Sequence, residues 1–154
     1  MENRSTREAS APIELRLRRR FDAPVERVWR AWTDPQALMR WFGPAETRRV
    51  LRAETDVRVG GAYQVGFSTE DGLEHHASGH YREVEPLRRL VFTWAWRDTP
   101  AEVSMITLEF TSADGGTELA FLQTPFVDQP TRDSHQHGWS GALDRLASHL
   151  ANPA

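Results

Sequence analysis

Histidine offers the widest range of chemistry in this sequence, because it can bind a metal ion or transfer a proton near neutral pH. Six histidines occur, at positions 75, 76, 80, 135, 137 and 149. His76 and His80 would lie about 13 Å apart along one side of a strand, too far to share a metal ion unaided. His135 and His137 cannot share one face of a helix. Because the sequence also lacks cysteine and a His-Glu-x-x-His motif, we expect surface histidines, no metal site and no cofactor.

Nucleophilic or acid–base catalysis would need other side chains. The sequence contains no Gly-x-Ser-x-Gly elbow and no thiol, so neither a serine nor a cysteine nucleophile is indicated. Acid–base catalysis would require a buried polar residue with a shifted pKa inside a pocket. The candidates are Tyr63, Gln123, His135 and, if their strand turns them inward, His76 or His80.

Gln123 bears most on the choice between catalysis and binding. Its neighbours in the strand alternation, Leu119 and Phe121, point at the predicted core, so Gln123 should point there too. A glutamine amide can orient a ligand through hydrogen bonds, but it cannot act as a base near neutral pH. The pattern therefore favours a binding protein over an enzyme, and it leaves the enzyme as an alternative.

These residues need a long element to position them, and one is predicted near the end of the chain. Helical spacing indicates a helix from Thr131 to Leu150, with an apolar stripe of Trp139, Leu143, Leu146 and Leu150 and with Ala142 and Ala147 beside it. Gly138 and Gly141 fall within this helix. Each costs about 1 kcal/mol relative to alanine, so they predict a close approach or open space there.

Short alternating segments precede this helix. A strand from Ile13 to Phe21 and two brief helices, starting at Pro24 and at Asp34, come first. Six strands are predicted after them, at Val50 to Val59, Tyr63 to Phe67, Leu73 to Glu85, Leu90 to Trp96, Ser104 to Phe110 and Leu119 to Gln123. Their one-sided alternation means that one sheet face is covered, and only the last helix is long enough to cover it.

Large aromatic side chains are abundant, with six tryptophans and seven phenylalanines among 154 residues. Many of them alternate on strand faces that should converge opposite Trp139. These faces are formed by Tyr63, Val65 and Phe67, by Phe92, Trp94 and Trp96, and by Leu119, Phe121 and Gln123. Either the rings simply fill this space, or they line an apolar chamber into which Ala142 points.

The amino-acid composition indicates which binding partners and which cellular compartment to expect. The 19 basic and 22 acidic residues are mixed along the chain and give a net charge of -3, which argues against nucleic acid or an anionic membrane as partner. No run approaches the ~20 apolar residues of a membrane span. The lack of cysteine suits a reducing compartment, so we expect a cytoplasmic protein. We predict a disordered leader at 1–11 and a single domain at 12–152.

Several short segments occur in a characteristic order over about residues 13 to 151. They are Ala23-Pro24, Val28 to Pro35, Trp41 to Pro44, Asp56 to Tyr63, Gly79 to Pro86, Arg89 to Trp94, Gly116 to Leu119 and Gly138 to Leu146. In this order and spacing, the sequence resembles the START-like (SRPBCC) superfamily with its helix-grip fold. Within that superfamily it is most similar to the branch of the activator of Hsp-ninety ATPase.

The resemblance implies an α+β helix-grip fold, in which a curved antiparallel sheet of about seven strands surrounds the long C-terminal helix and two short helices follow the first strand. Relatives hold apolar ligands between sheet and helix, often have histidine at the place of Gln123, and include a few cyclases and hydrolases. Three hypotheses follow: binding of a small, largely apolar ligand, a cavity enzyme of the polyketide cyclase or hydrolase kind, and a chaperone-linked interaction domain with a link to the stress response. The oligomeric state could be monomer or homodimer.

From the apolar strand faces, the last helix and the resemblance together, we predict a ligand-binding cavity. Its predicted residues are Trp41, Phe42, Tyr63, Val65, Phe67, Phe92, Trp94, Trp96, Gln123, His135, Trp139, Ala142 and Leu143.

Overall fold

The computed structural model describes residues 11–152, in which seven strands form one antiparallel sheet. The strands are β1 (Leu15–Phe21), β2 (Thr47–Thr55), β3 (Ala62–Thr69), β4 (Glu74–Glu85), β5 (Arg89–Trp96), β6 (Ser104–Ala113) and β7 (Gly116–Thr124). Their order across the sheet is β1-β7-β6-β5-β4-β3-β2. Helices α1 (Val25–Thr33) and α2 (Pro35–Trp41) follow β1, and α3 (Gln129–Ala151) follows β7. The predicted α+β helix-grip fold is therefore confirmed. Apart from Ala11, the predicted disordered leader lies outside the described residues.

Side-chain caps explain where two of the helices begin. Asp34 accepts a hydrogen bond from the backbone N–H of Gln36 at 3.0 Å at the start of α2. Asp128 accepts in the same way from the N–H of Thr131 at 2.9 Å. Because Asp128 is the cap, α3 begins at Gln129, slightly before the predicted start.

The apolar stripe of α3 packs on the concave face of the sheet, as predicted. Trp139, Leu143, Leu146 and Leu150 are each exposed by 5% or less. Ala147, expected beside this stripe, is instead exposed, because its position on the helix turns it to solvent. The stripe joins buried residues from every strand except β2 in one apolar core.

The two glycines of α3 meet different surroundings. A Cβ atom added at Gly141 would lie 2.7 Å from the backbone nitrogen of Ala45, in the loop after α2. At Gly138 the nearest atom would be the Cβ of Pro44 at 4.0 Å. Gly141 thus permits a close approach of the loop, and Gly138 borders open space.

Strand β2 ends earlier than the predicted Val59. After Thr55 the chain turns back through Gly60, which has a φ of 86°, and enters β3 at Ala62. This left-handed conformation suits glycine and interrupts the strand. Val59 therefore lies on the turn and is 65% exposed.

The structure also shows which side of β4 faces inward. Ala77 and Tyr81 are buried, and His75 lies on the same side of the strand, opposite Phe67 of β3. By alternation, His76 and His80 point to the convex side. Neither can therefore serve as the inward polar residue that the sequence left possible.

Candidate functional site

An open cavity of about 330 Å³ lies between the first half of α3, the ends of β3 to β5 and the loop after α2. Its walls are largely aromatic. Of the predicted cavity residues, those that line it are Phe42, Phe67, Trp94, Trp96, His135, Trp139 and Ala142. Gly138, where the sequence predicted a close approach or open space, borders the cavity as well. The cavity also borders residues that were not among the predicted cavity residues, namely Gly43, Pro44, Glu46, Thr69, Asp71, His75, Ser134 and His137.

Side chains fill the inner half of the predicted chamber. The predicted residues that do not line the open cavity are Trp41, Tyr63, Val65, Phe92, Gln123 and Leu143. Tyr63, Val65 and Phe92 face a void of only about 20 Å³. Trp41 and Leu143 are fully buried. The rings thus fill the space on one side of Trp139 and leave a cavity on the other.

Gln123 lies behind Trp139, which lines the open cavity, and fixes the orientation of its indole ring. It is fully buried, and its amide oxygen accepts a hydrogen bond from the indole N–H of Trp139 at 2.9 Å. Its amide nitrogen donates to the hydroxyl of Ser104, also at 2.9 Å. The predicted inward orientation is correct, but the amide orients Trp139 and does not reach the open cavity.

His135 is the predicted polar residue that does reach the cavity. Its Nδ1 lies 3.0 Å from the carbonyl oxygen of Thr131 and must donate there, while its Nε2 accepts from the indole N–H of Trp96 at 3.1 Å. Burial lowers the pKa of His135, and a proton on Nε2 would face the indole donor. The ring is therefore neutral, with both nitrogens engaged.

Tyr63, the remaining acid–base candidate, is similarly engaged. Its hydroxyl donates to the carbonyl oxygen of Thr93 at 2.5 Å, and burial raises its pKa well above the usual value for tyrosine. This phenol cannot act as a base near neutral pH.

The prediction of surface histidines holds for only part of the set. His80 and His137 are exposed, whereas His75, His76, His135 and His149 are half-buried. His75 and His135 are covered because their rings pack against aromatic neighbours: His75 stacks on Phe67 with centroids 5.1 Å apart, and His135 lies 5.0 Å from Phe126.

A polar cluster at the rim connects Thr69, Asp71 and His75. The Thr69 hydroxyl donates to the carboxylate of Asp71 at 2.6 Å and lies 3.0 Å from Nε2 of His75. This hydrogen bond lowers the pKa of Asp71. Since the hydroxyl has one hydrogen and gives it to Asp71, His75 must be the donor to Thr69. His75 is therefore not placed to activate Thr69 as a nucleophile.

A second polar pair crosses the mouth of the cavity. Nε2 of His137 on α3 lies 2.7 Å from a carboxylate oxygen of Glu46 in the loop after α2. This contact lowers the pKa of Glu46. The partners are 91 positions apart in the sequence, so no local spacing could have indicated the pair.

Among residues 11–152, no three histidine, aspartate or glutamate side chains converge as metal ligands would. None of the helices there combines the length and the apolar character needed to cross a membrane.

Comparison with known proteins concerns the family and the fold. The sequence model described as Activator of Hsp90 ATPase homolog 1-like protein matches residues 22–151. No protein with a curated description matches.

Solved structures with the same fold include a protein from Chromobacterium violaceum, with 29% identity, a TM-score of 0.78 and coverage of 90% of this chain and 97% of that one. The AHSA1 protein from Silicibacter pomeroyi has 26% identity, a TM-score of 0.78 and the same coverage of both chains. CalU16 from Micromonospora echinospora has 30% identity and a TM-score of 0.67, over 89% of this chain and 75% of that one. The START-like resemblance is thereby confirmed, and the chain belongs to the Activator of Hsp90 ATPase homolog 1-like protein family.

Proposed function

We propose that this protein binds a small, largely apolar molecule in the open cavity between the sheet and α3. The observation that carries the proposal is the cavity itself, about 330 Å³ of open space walled mainly by aromatic rings. Pockets of this size and lining, with a few polar groups, are typical of small-molecule sites. Folding leaves these rings bordering open space, so a ligand would remove further apolar surface from water.

The ligand would contact the walls as follows. Trp139 and Ala142 of α3 form one side, and Phe67, Trp94 and Trp96 of the sheet form the other. The carboxylates of Glu46 and Asp71 lie at the mouth, where they remain in contact with water. The apolar part of the ligand should therefore lie inside and any charged part at the mouth.

The cavity-enzyme alternative finds less support among the described residues. His135 and Tyr63 are both engaged in hydrogen bonds, and Gln123 cannot transfer protons near neutral pH. A chaperone-linked role, a cytoplasmic location and the choice between monomer and homodimer stay predictions.

Titration with the neutral dye N-phenyl-1-naphthylamine tests the proposal, because the dye's emission rises on transfer to an apolar site. We expect saturable binding at micromolar concentration in the native protein and none after unfolding. Ala142→Phe should abolish binding, because Ala142 lines the cavity, whereas Ala147→Phe on the exposed side of the same helix should not.

Ala142 is 2% exposed, so the larger ring could unfold the protein, and thermal unfolding of each variant must be measured alongside. Gly138→Leu provides an independent block, since a Cβ atom there meets no neighbour closer than 4.0 Å. Absence of saturable dye binding to the folded wild type would refute the proposal. Equal binding by wild type and a folded Gly138→Leu variant would place the dye elsewhere and refute it as well.

A further inference from the structure

A second cavity of about 160 Å³ adjoins the first. It lies between the β5–β6 loop and the segment that joins β7 to α3, and Val103 and Val127 lie at its edge. Trp94, Trp96 and His135 line both cavities, so these three side chains form the wall between them. The two spaces are thus separated only by the thickness of that wall.

A hydrogen bond joins two of the side chains that form this wall. The Trp96 indole donates to Nε2 of His135 at 3.1 Å, and both side chains are half-buried. His135 is neutral and anchored through Nδ1 to Thr131, so the hydrogen bond joins uncharged groups, and the two rings also pack with centroids 5.8 Å apart. Such a bond contributes little net stability, and a ligand that replaced it could separate the two side chains.

Trp94, on the same wall, contains a second indole N–H that is buried and has no hydrogen-bond partner among the described residues. Buried donors are normally paired, but this one has almost no surface accessible from either cavity. Once separated from each other, Trp96 and His135 would offer a ligand one indole donor and one imidazole acceptor. A hydroxyl group, which both accepts and donates, matches this set.

The edge of the second cavity suits an apolar occupant. Val103 is 50% exposed and Val127 is 58% exposed, although both are apolar and lie on either side of the same opening. A molecule that reached through the wall would cover them and remove their surface from water.

We propose that the two cavities are halves of one elongated site. Its ligand is an apolar molecule in two parts, joined at a centre that carries a hydroxyl group. The hydroxyl replaces the bond between Trp96 and His135, accepting from the indole and donating to the imidazole. This inference rests on the proposed function, because it extends the same site.

Three matched probes test it by calorimetry: diphenylmethanol, with two rings and a central hydroxyl; diphenylmethane, without the hydroxyl; and benzyl alcohol, with one ring. Val127→Trp should fill the second cavity and weaken diphenylmethanol binding about tenfold, the effect of losing one buried contact group. Benzyl alcohol should bind as before. Val59→Trp, at a 65% exposed valine on the β2–β3 turn, is the control and should change neither affinity.

The hydroxyl is tested separately. Diphenylmethanol should bind the wild type about two- to tenfold more tightly than diphenylmethane, as expected for one hydrogen bond between neutral groups. The double variant Trp96→Phe/His135→Phe removes both the indole donor and the imidazole acceptor and should abolish that difference.

The outcomes distinguish the two proposals. If neither benzyl alcohol nor the naphthylamine dye binds the folded wild type, the proposed function fails and this inference fails with it. If both bind, but Val127→Trp and the independent filler Val103→Trp leave diphenylmethanol affinity unchanged, the second cavity is no part of the site. The proposed function would then stand alone. A hydroxyl preference that persists in the folded double variant would likewise overturn the assigned role of the wall.

Discussion

Alanine substitutions at Gly138 and Gly141 should change stability in opposite directions, although the two positions lie on adjacent turns of α3. Neither glycine is among those with positive φ, so alanine fits the backbone at both. Their surroundings differ. A Cβ atom at Gly138 would be 4.0 Å from its nearest neighbour, whereas one at Gly141 would be 2.7 Å from the backbone nitrogen of Ala45.

The expected magnitudes follow from these distances. Replacing glycine by alanine inside a helix stabilises it by about 0.5 to 1 kcal/mol, and Gly138→Ala should show this gain in full. Gly141→Ala should show the same gain less the cost of overpacking, which is about 1 to 3 kcal/mol. Because Arg145 ties the loop to α3 by donating to the carbonyl oxygen of Phe42 at 3.1 Å, the loop cannot move away freely. A net loss of about 1 to 2 kcal/mol is expected.

Urea unfolding followed by tryptophan emission measures both effects, and each variant serves as the control for the other. In thermal unfolding, a change of 1 kcal/mol corresponds to about 2 to 4 °C for a chain of this size. Gly138→Ala should also retain dye binding, since a single methyl group occupies little of the cavity. If Gly141→Ala were as stable as Gly138→Ala, the close approach of the loop to α3 would be disproved, and with it this wall of the site.

Three further predictions concern the core and its pH dependence. Leu146→Ala should reduce the free energy of unfolding by about 2 to 5 kcal/mol, because Leu146 is fully buried; a loss below about 0.5 kcal/mol would contradict the packing of α3. Gln123→Leu should cost about 1 to 3 kcal/mol and shift tryptophan emission, because it leaves the indole N–H of Trp139 unpaired; an unchanged urea midpoint would argue against the Gln123–Trp139 bond. The pKa of His135 is lowered by burial, so the unfolded chain takes up the proton first and stability should fall as the pH drops below about 6.5. His135→Gln should make this fall in melting temperature shallower without removing it, because the pKa of His149 is also lowered by burial; an identical fall in both proteins would show that His135 does not contribute.

The sequence predicted best what depends on regular periodicity. Alternation along β3, β5 and β7 indicated which side chains face inward, and helical spacing indicated the stripe of α3, because burial imposes those periods directly. Periodicity failed where the backbone leaves regular geometry. The turn at Gly60 ends β2 early, and the Asp128 cap starts α3 before the apolar pattern begins.

The polar residues around the mouth of the cavity could not be predicted in the same way. Glu46 lies in a loop, and Asp71 lies in the hairpin between β3 and β4, so neither has a period from which its orientation can be read. Their contacts, with His137 and with Thr69, depend on how distant or turning segments meet. The inward orientation of His75 could be predicted only once the register of β4 against β3 was known.

The division between filled and open space follows from one buried hydrogen bond. Gln123 fixes the indole of Trp139, whose ring then packs 5.3 Å from Trp94, 5.8 Å from Phe42 and 5.0 Å from Phe121. Since each of these rings is itself buried, Trp139 cannot swing inward to deepen the cavity without opening the core. The inner half therefore contributes stability, and any selectivity for a ligand must come from the outer wall, where the loop after α2, the β3–β4 hairpin and the Trp96–His135 contact meet.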